Sequence, residues 1–404
     1  MNLNSRLSRL QSQAGTSMTQ NAPKPSVSSL RERIAELEKR GRSRSSGTAA
    51  VVSQARLPAE ELARALQGEL IADGVIRIHQ RLPLQGQLGS IPLHSVHGYP
   101  RLPGETGSDG LRNVYIDTET TGLSGGSGTL AFLIGIAVVD DETIELTQFL
   151  LTRFAAEAAL LRVFAETLLA DDRLVSYNGK SYDLPLLVTR FRMQAMAHPF
   201  AELPHLDLLH PVRRLFSSRW ADCRLISLER NLLGFSRVDD LPGSEAPGAW
   251  FSYVRFGHGA QLLKVVEHNR QDIVSLAIAH STLARAIAEP RSFNVDLHAL
   301  ARWLAEGNED DARELLESHQ GTLCDHGRRF LAHLLRRAGH WPQAVAVWET
   351  LAATGCTDSV ERLAKYHEHI SKDFAAARRC CERLPRAAVH ERRRRRIEEK
   401  LHKR

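Results

Sequence analysis

The chain lacks any long apolar run: its longest, Leu130 to Val139, is far too short to span a bilayer and is expected to be a buried central strand. No charged stretch followed by an apolar core opens the N-terminus, so no secretory signal is expected. Cysteine is scarce. The five residues Cys223, Cys324, Cys356, Cys380 and Cys381 show neither paired zinc spacing nor the density of a disulfide scaffold, which suits a reducing cytoplasm. Neither sign of charge dominates, with 53 Lys and Arg against 47 Asp and Glu. The net charge of +6 and pI near 9.2 favour a polyanionic partner without establishing one. A hydrophobic fraction of 43% is ordinary for a soluble protein, and 404 residues suffice for two or three domains.

What is present falls into segments. Residues 1–50, rich in Ser, Gln and Asn, are expected to form a disordered leader with one short charged helix around Leu30, Ile34 and Leu37. Residues 51–110 read as an N-terminal extension and linker. Within it a helical pattern, Leu57 to Gln67, stops at Gly68, and a hairpin turns at Asp73-Gly74. Turn formers from Gly98 to Gly107 lead into a core over 111–287. That core reads as strands Asn113–Glu119, Leu130–Val139 and Thr143–Leu151, helix Glu157–Leu169, strand Leu174–Tyr177 and helix Leu184–Met193. Strands followed by alternating helix and strand predict an α/β fold, a mixed sheet with flanking helices. The glycine-rich turn from Gly122 to Gly128 reads as a flexible hairpin loop more than as a phosphate cradle, for it lacks the terminal Lys and Ser/Thr. Farther on, Leu225 to Leu233 predicts an amphipathic helix ending at Gly234, and the loop Leu241 to Gly248 is irregular.

After residue 290 the pattern changes. Gly307, Gly339 and Ser371 lie at a fixed interval, as do Ala312, Ala344 and Ala376, and Leu316, Trp348 and Cys380. Small residues recurring in step predict an all-α helical-repeat region over 290–385, tetratricopeptide-like in period, with a plain helical bundle as the alternative. Its third unit is degraded at His367 and Lys372. It reads as a docking or substrate-guiding module. A basic tail, 386–404, carries Arg392 to Arg396. Solvated face and nucleic-acid contact are equally good readings of that run.

Chemistry concentrates in three places. Asp117 and Glu119, two apart at the end of a strand, point the same way, so both can grip one hard divalent cation such as magnesium or manganese. Asp183 opens a helix after the turn Asn178-Gly179-Lys180. His268 and Asp272, four apart, share a helix face. Asp207 reads as a strand-end residue with a structural hydrogen bond. Tyr182 reads as a core residue, with stacking on a base as the minor alternative. Asn178 shapes the turn or touches substrate, and Lys180 is either a phosphate contact or solvated.

In this order the residues resemble the DEDD-type, ribonuclease-H-like 3′–5′ exonucleases. Asp117 and Glu119 match their first motif, Asn178 to Asp183 the second, and His268 with Asp272 the third. The second motif looks most like that of the proofreading domain of B-family DNA polymerases. The whole arrangement resembles the YprB-like branch of bacterial ribonuclease-H-like proteins. The resemblance covers roughly residues 110 to 285 and implies a ribonuclease-H-like mixed sheet and phosphodiester hydrolysis of DNA or RNA. Two Mg2+ or Mn2+ ions would be held by Asp117, Glu119, Asp183 and Asp272, with His268 as the residue that accepts the water's proton or orients a carboxylate. Substrate contacts would fall to Thr120, Asn178 and Lys180. One departure stands out: the histidine sits at the spacing that the tyrosine type of this family uses. The alternatives are a structure-selective endonuclease and a nucleic-acid-binding scaffold whose nuclease domain is vestigial, either with a protein partner on the helical repeats.

Overall fold

The computed structural model describes residues 57–97, 101–103, 105, 110–122 and 128–402. The leader expected over 1–50, most of the turn-rich stretch before Gly110 and the interior of the glycine-rich turn lie outside the described residues. Helix α1, Ala59–Ala65, carries Glu60 and Glu61 in its first turn, where the helix dipole favours them, and buries Leu62 and Ala63. The left-handed residue after it is Gln67, at φ 54°, not Gly68. Gly68 is needed for another reason: a Cβ there would lie 2.7 Å from the Arg77 carbonyl oxygen of the next hairpin.

That hairpin, β1 (Glu69–Ala72) and β2 (Val75–Pro83), turns at Asp73-Gly74 as expected, with Gly74 at φ 86°. It is not an appendage. After the short pair β3 (Gln87–Leu88) and β4 (Ile91–Pro92) come β5 (Arg112–Thr120), β6 (Ala131–Val139) and β7 (Thr143–Leu151). Strand β2 pairs antiparallel with β7 along its length, from Val75 opposite Leu151 to Pro83 opposite Thr143. The sheet therefore crosses the boundary expected at residue 111. The physical reason is that β7, rich in buried Leu and Ile, would otherwise present an unpaired apolar edge.

Helix α2 (Glu157–Ala165), β8 (Asp172–Ser176), α3 (Asp183–Met193) and β9 (His205–Asp207) complete a seven-stranded sheet of order β1-β2-β7-β6-β5-β8-β9. Strands β5, β6 and β7 run as an antiparallel meander, while β8 and β9 join parallel to β5. The expected mixed sheet with flanking helices is present. Then follow α4 (Leu209–Phe216), α5 (Leu225–Leu228), α6 (Ala246–Phe256) and the long α7 (Ala260–Ala288). Where one amphipathic helix was expected up to Gly234, α5 gives way to a π-helical turn, Glu229–Leu233, before Gly234 caps it at φ 63°. One face of the sheet packs Phe132 on Trp250, rings 5.3 Å apart, and Phe149 edge-on to Phe164. The other face joins Tyr115, Ala137, Ile144 and Leu146 to Ile273, Leu276 and Ala277 of α7.

Beyond α7 the chain is helical: α8 (Leu297–Leu304), α9 (Glu309–Ser318), α10 (Asp325–Arg337), α11 (Trp341–Ala353), α12 (Thr357–His369), α13 (Phe374–Glu382) and α14 (Ala388–His402). The recurring alanines Ala312, Ala344 and Ala376 are buried at matching points of α9, α11 and α13, where a larger side chain would hold the helices apart. The basic run is not a loose tail. Ile397 of α14 is fully buried, and Glu368 of α12, also fully buried, accepts from Arg396 (2.5 and 2.8 Å) and Lys400 (2.9 Å). Burial alone would raise the Glu368 pKa, but these hydrogen bonds overcome it and hold it at about 2.

Candidate active site

Three chain segments meet at the C-terminal end of β5. Asp117 and Glu119 share one face of the strand, and opposite Asp117 on β6 stands Gly135. An isolated glycine inside an apolar strand marks a close approach by another chain segment. Here the visitor is α7: a Cβ on Gly135 would overlap Asn269 Oδ1 and Ile273 Cδ1. In the space left open, the buried Asn269 donates its amide to Asp117 Oδ2 at 2.7 Å. Gln148 of β7 holds that amide in place, donating to Asn269 Oδ1 at 2.8 Å and to the Val266 carbonyl at 2.9 Å.

The second segment follows β8. Asn178 adopts φ 69°, a left-handed conformation that asparagine tolerates better than most residues. Asp207, at the end of β9, closes the turn by accepting from the backbone N–H groups of Asn178 (2.7 Å), Lys180 (3.1 Å) and Leu209 (3.1 Å). This is the structural role expected of Asp207. The turn delivers Asp183 to the first position of α3, where its Oδ1 accepts from the Thr118 hydroxyl at 2.5 Å.

Helix α7 supplies the third. His268 Nε2 faces the carboxylates, 3.8 Å from Glu119 Oε1 and 3.6 Å from Asp272 Oδ2. Its Nδ1 lies 2.7 Å from Asp240 Oδ1. Arg237, which can only donate, also stands 3.2 Å from Nδ1, but the shorter contact is to a carboxylate that only accepts; it favours the hydrogen on Nδ1 and, in the neutral ring, leaves Nε2 as a base. The segment Leu241 to Gly248, expected to be irregular, instead holds a 3₁₀ turn, Gly243–Glu245, that runs into α6 at Ala246; it borders the site, since a Cβ on Gly243 would stand 3.9 Å from His268 Nε2.

One cation stands among these acids. Arg237, its side chain 4% exposed, makes a two-point ion pair with Glu229 (2.8 and 2.6 Å) and contacts Asp240 Oδ2 at 3.2 Å. It also donates to Asp272 Oδ1. Glu229 sits on the π-helical turn and accepts as well from the Ser275 hydroxyl of α7 at 2.5 Å. Arg237 thus ties the 229–240 segment to α7. Burial pulls its pKa down, but Glu229 and Asp272 more than restore it, so the group stays charged.

The acids strain one another. Burial and then Asp272, Asp183 and Glu119 hold the Asp117 pKa well above the usual carboxylate range. Glu119 is pushed up to about 8 by burial, Asp272, Asp183 and Asp240, with Arg237 opposing. Asp183 is raised to about 6, chiefly by burial, against the hydrogen bond from Thr118. Four carboxylates crowded this closely lack enough positive charge nearby. Among the described residues no three His, Cys, Asp or Glu side chains already stand in ion-holding geometry. Arg237, Asn269 and Thr118 each take up one oxygen of Asp272, Asp117 and Asp183. The donor set is all oxygen, hard and short of compensating charge, which fits a divalent cation of the magnesium type.

The structure therefore brings together Asp117, Glu119, Asp183, His268 and Asp272. Of the expected substrate contacts, Thr120 donates its hydroxyl to the Gly122 carbonyl (2.9 Å), Asn178 shapes the turn, and Lys180 is exposed beside it. Tyr182 is not a core residue. It is 59% exposed, because it precedes α3 and Asp183 takes the inward position. Sequence reasoning passed over Arg237, Asp240, Glu229, Asn269 and Thr118. Gly135 alone had left a signal, as an interruption in the apolar run of β6.

Comparison with known proteins bears on the fold. Residues 114–283 match the RNase_H superfamily model RNase_H_2. These residues form a ribonuclease-H-like domain. The chain is also 32% identical over 276 residues to YprB, an uncharacterized protein of Bacillus subtilis strain 168. That alignment covers 65% of this chain and 66% of YprB, just under two thirds of its length. Among solved structures, the family B DNA polymerase of the hyperthermophilic archaeon Pyrobaculum calidifontis aligns at a TM-score of 0.35 and 12% identity. It covers 76% of this chain and 39% of that polymerase, an overlap too slight to bear on function. Among the described residues no helix is long and apolar enough to cross a membrane.

Proposed function

We propose that this ribonuclease-H-like domain is a metal-dependent nuclease of the DEDD type, removing nucleotides from the 3′ end of DNA or RNA. The observation that carries the reading is the convergence of Asp117, Glu119, Asp183 and Asp272, from three distant segments, into one undercompensated carboxylate cluster faced by His268 Nε2. Those four acids would hold two magnesium or manganese ions. Bound there, the ions supply Lewis-acid polarisation of the phosphate and lower the pKa of a water.

The protein's own groups do the rest. His268 accepts a proton at Nε2, and Asp240, bonded to Nδ1, holds the ring and stabilises the imidazolium that forms. Arg237 keeps Asp272 and Asp240 on either side of that ring. Asn269 orients Asp117 through the same helix. The exposed Lys180 stands in the turn leading to Asp183, where a phosphate contact is sterically open.

The test is incubation of the full chain with 5′- and 3′-end-labelled single- and double-stranded DNA and RNA, with manganese and with chelator. Release of mononucleotides from the 3′ end, abolished by chelator and by Asp117→Ala at unchanged circular dichroism, is expected. Internal fragments from a labelled branched duplex would favour the endonuclease reading. Degradation undiminished in Asp117→Ala would remove the proposed site.

A further inference from the structure

A second concentration of chemistry lies on the helical region, away from the carboxylates. On α10, His326, Arg329, Phe330, His333 and Arg336 recur at steps of three and four and so share a face. Helix α8 sets His298 against them, its ring 5.9 Å from His326 and 5.8 Å from Phe330, and Phe330 stacks on His333 at 6.3 Å. Burial and then flanking arginines push the pKa values of His298 and His333 down, so near neutral pH these rings are flat, uncharged surfaces.

The arginines among the rings stand outside the ion pairs that their neighbours make. Nearby, Arg337 pairs with Glu309 (3.0 Å), Arg328 with Asp325 (3.4 Å) and Arg362 with Asp358 (3.6 Å). Arg302 of α8, with Arg329 and Arg336 of α10, makes no ion pair within 4.0 Å among the described residues; Arg302 acts on Glu306 only at longer range, and Arg329 Nε donates to the Asp325 carbonyl at 3.3 Å. Unpaired like charges on adjoining helices repel one another and await a polyanion.

This face connects to the carboxylate cluster. Helix α8 docks on α4 of the ribonuclease-H-like domain, with the Arg214 guanidinium 5.2 Å from the Trp303 ring centre. On α4, His210 and Arg213 are exposed. Lys180 and His210 both lie near His205, whose pKa burial and then these two neighbours push down to about 4. Lys180 in turn stands three residues before Asp183. Lys180 and Arg213 thus stand between the edge of the candidate active site and the arginines of α8 and α10, while Arg214 at the α4–α8 junction is paired with Glu306 at 2.9 Å.

We propose that this track binds single-stranded nucleic acid, with phosphates against Arg302, Arg329 and Arg336 and bases against the His298, Phe330 and His333 rings, and leads the strand toward Asp183. The inference rests on the nuclease reading for what happens at the end of the track, and on charge and ring geometry for the binding itself. An acidic polypeptide would satisfy the arginines and leave the ring ladder unused, whereas a nucleic-acid strand uses both.

The test is fluorescence anisotropy of labelled oligothymidylate and oligouridylate with the full chain in chelator, so that nothing is cut. Arg302→Gln, Arg329→Gln and Arg336→Gln combined should lower affinity about tenfold or more. The slope of log affinity against log salt should shrink by about 2, for three phosphate contacts at about 0.7 each on a single strand. Arg302→Glu alone, at an exposed position, repeats the measurement should the triple variant fold poorly. With manganese, hydrolysis of a dinucleotide should be unchanged while that of a long strand slows. Unchanged affinity and salt slope would overturn the proposal, as would polyglutamate displacing the strand as well as unlabelled oligonucleotide does. If neither wild type nor variant hydrolyses anything but the anisotropy result holds, the nuclease reading fails and the binding surface stands.

Discussion

Replacing Arg237 with methionine is the perturbation that tests the site's architecture most directly. The guanidinium is 4% exposed and Glu229, which it grips at two points, is 1% exposed. Methionine keeps much of the length and apolar stem but removes the charge, leaving Glu229, among the described residues, with only the Ser275 hydroxyl as side-chain donor. An uncompensated buried carboxylate of this kind destabilises by about 3–5 kcal/mol. Glu229→Gln alone should also destabilise, because it leaves the buried guanidinium one ion pair short. The double variant removes both charges together, so its loss should fall short of the sum of the single losses by about 2 kcal/mol, within the range for coupled neighbours. The assay is urea denaturation of the four proteins followed by tryptophan fluorescence, since Trp250 is fully buried against Phe132 in the same domain. Losses that add to within about 0.5 kcal/mol would refute the idea that Arg237 and Glu229 form one stabilising unit.

Other outcomes follow from the same geometry. His268→Ala should reduce turnover far more than it weakens manganese binding measured by calorimetry; equal losses would mean that the histidine only holds the carboxylates in place. Gly135→Ala, whose methyl would overlap Asn269 and Ile273, should destabilise by about 1–3 kcal/mol as α7 is pushed off β6; an unchanged melting temperature would contradict that close approach. For the metal-free protein, Glu119 (about 8) and Asp183 (about 6) have folded-state pKa values raised above their unfolded ones. Their contribution is therefore fully present below about pH 4 and is lost as pH rises through 6 to 8. Melting temperature in chelator should fall across that window and recover at pH 8 with manganese. A flat profile, or no effect of manganese at pH 8, would speak against the crowded carboxylates.

Much of this could be read in the chain, for physical reasons that differ by element. The strand Leu130–Val139 was legible because a strand buried on both faces is apolar nearly throughout, and Thr143–Leu151 because it begins by alternating polar Thr143, Glu145 and Thr147 with buried Ile144 and Leu146. The all-helical region after residue 290 was legible because close helix packing favours small buried residues, as at Ala312, Ala344 and Ala376. The hairpin at Asp73-Gly74 was visible as a turn, yet its membership of the main sheet was not, because pairing partners carry no local mark. Tyr182 was misjudged because an aromatic residue beside a helix start has the same sequence signature whether it faces in or out.

The same division runs through the site. The acids declare themselves through spacing on one strand, one turn and one helix, and spacing is a property of the chain alone. Their compensation is not. Arg237 and Asp240 come from a polar loop with no periodicity, and only the packing of that loop against α7 makes a buried ion pair of one and a histidine partner of the other. Local sequence thus determined which groups have the chemistry. The tertiary fold decided which of their oxygens are already taken, since burial and charge balance depend on neighbours that lie tens of residues away.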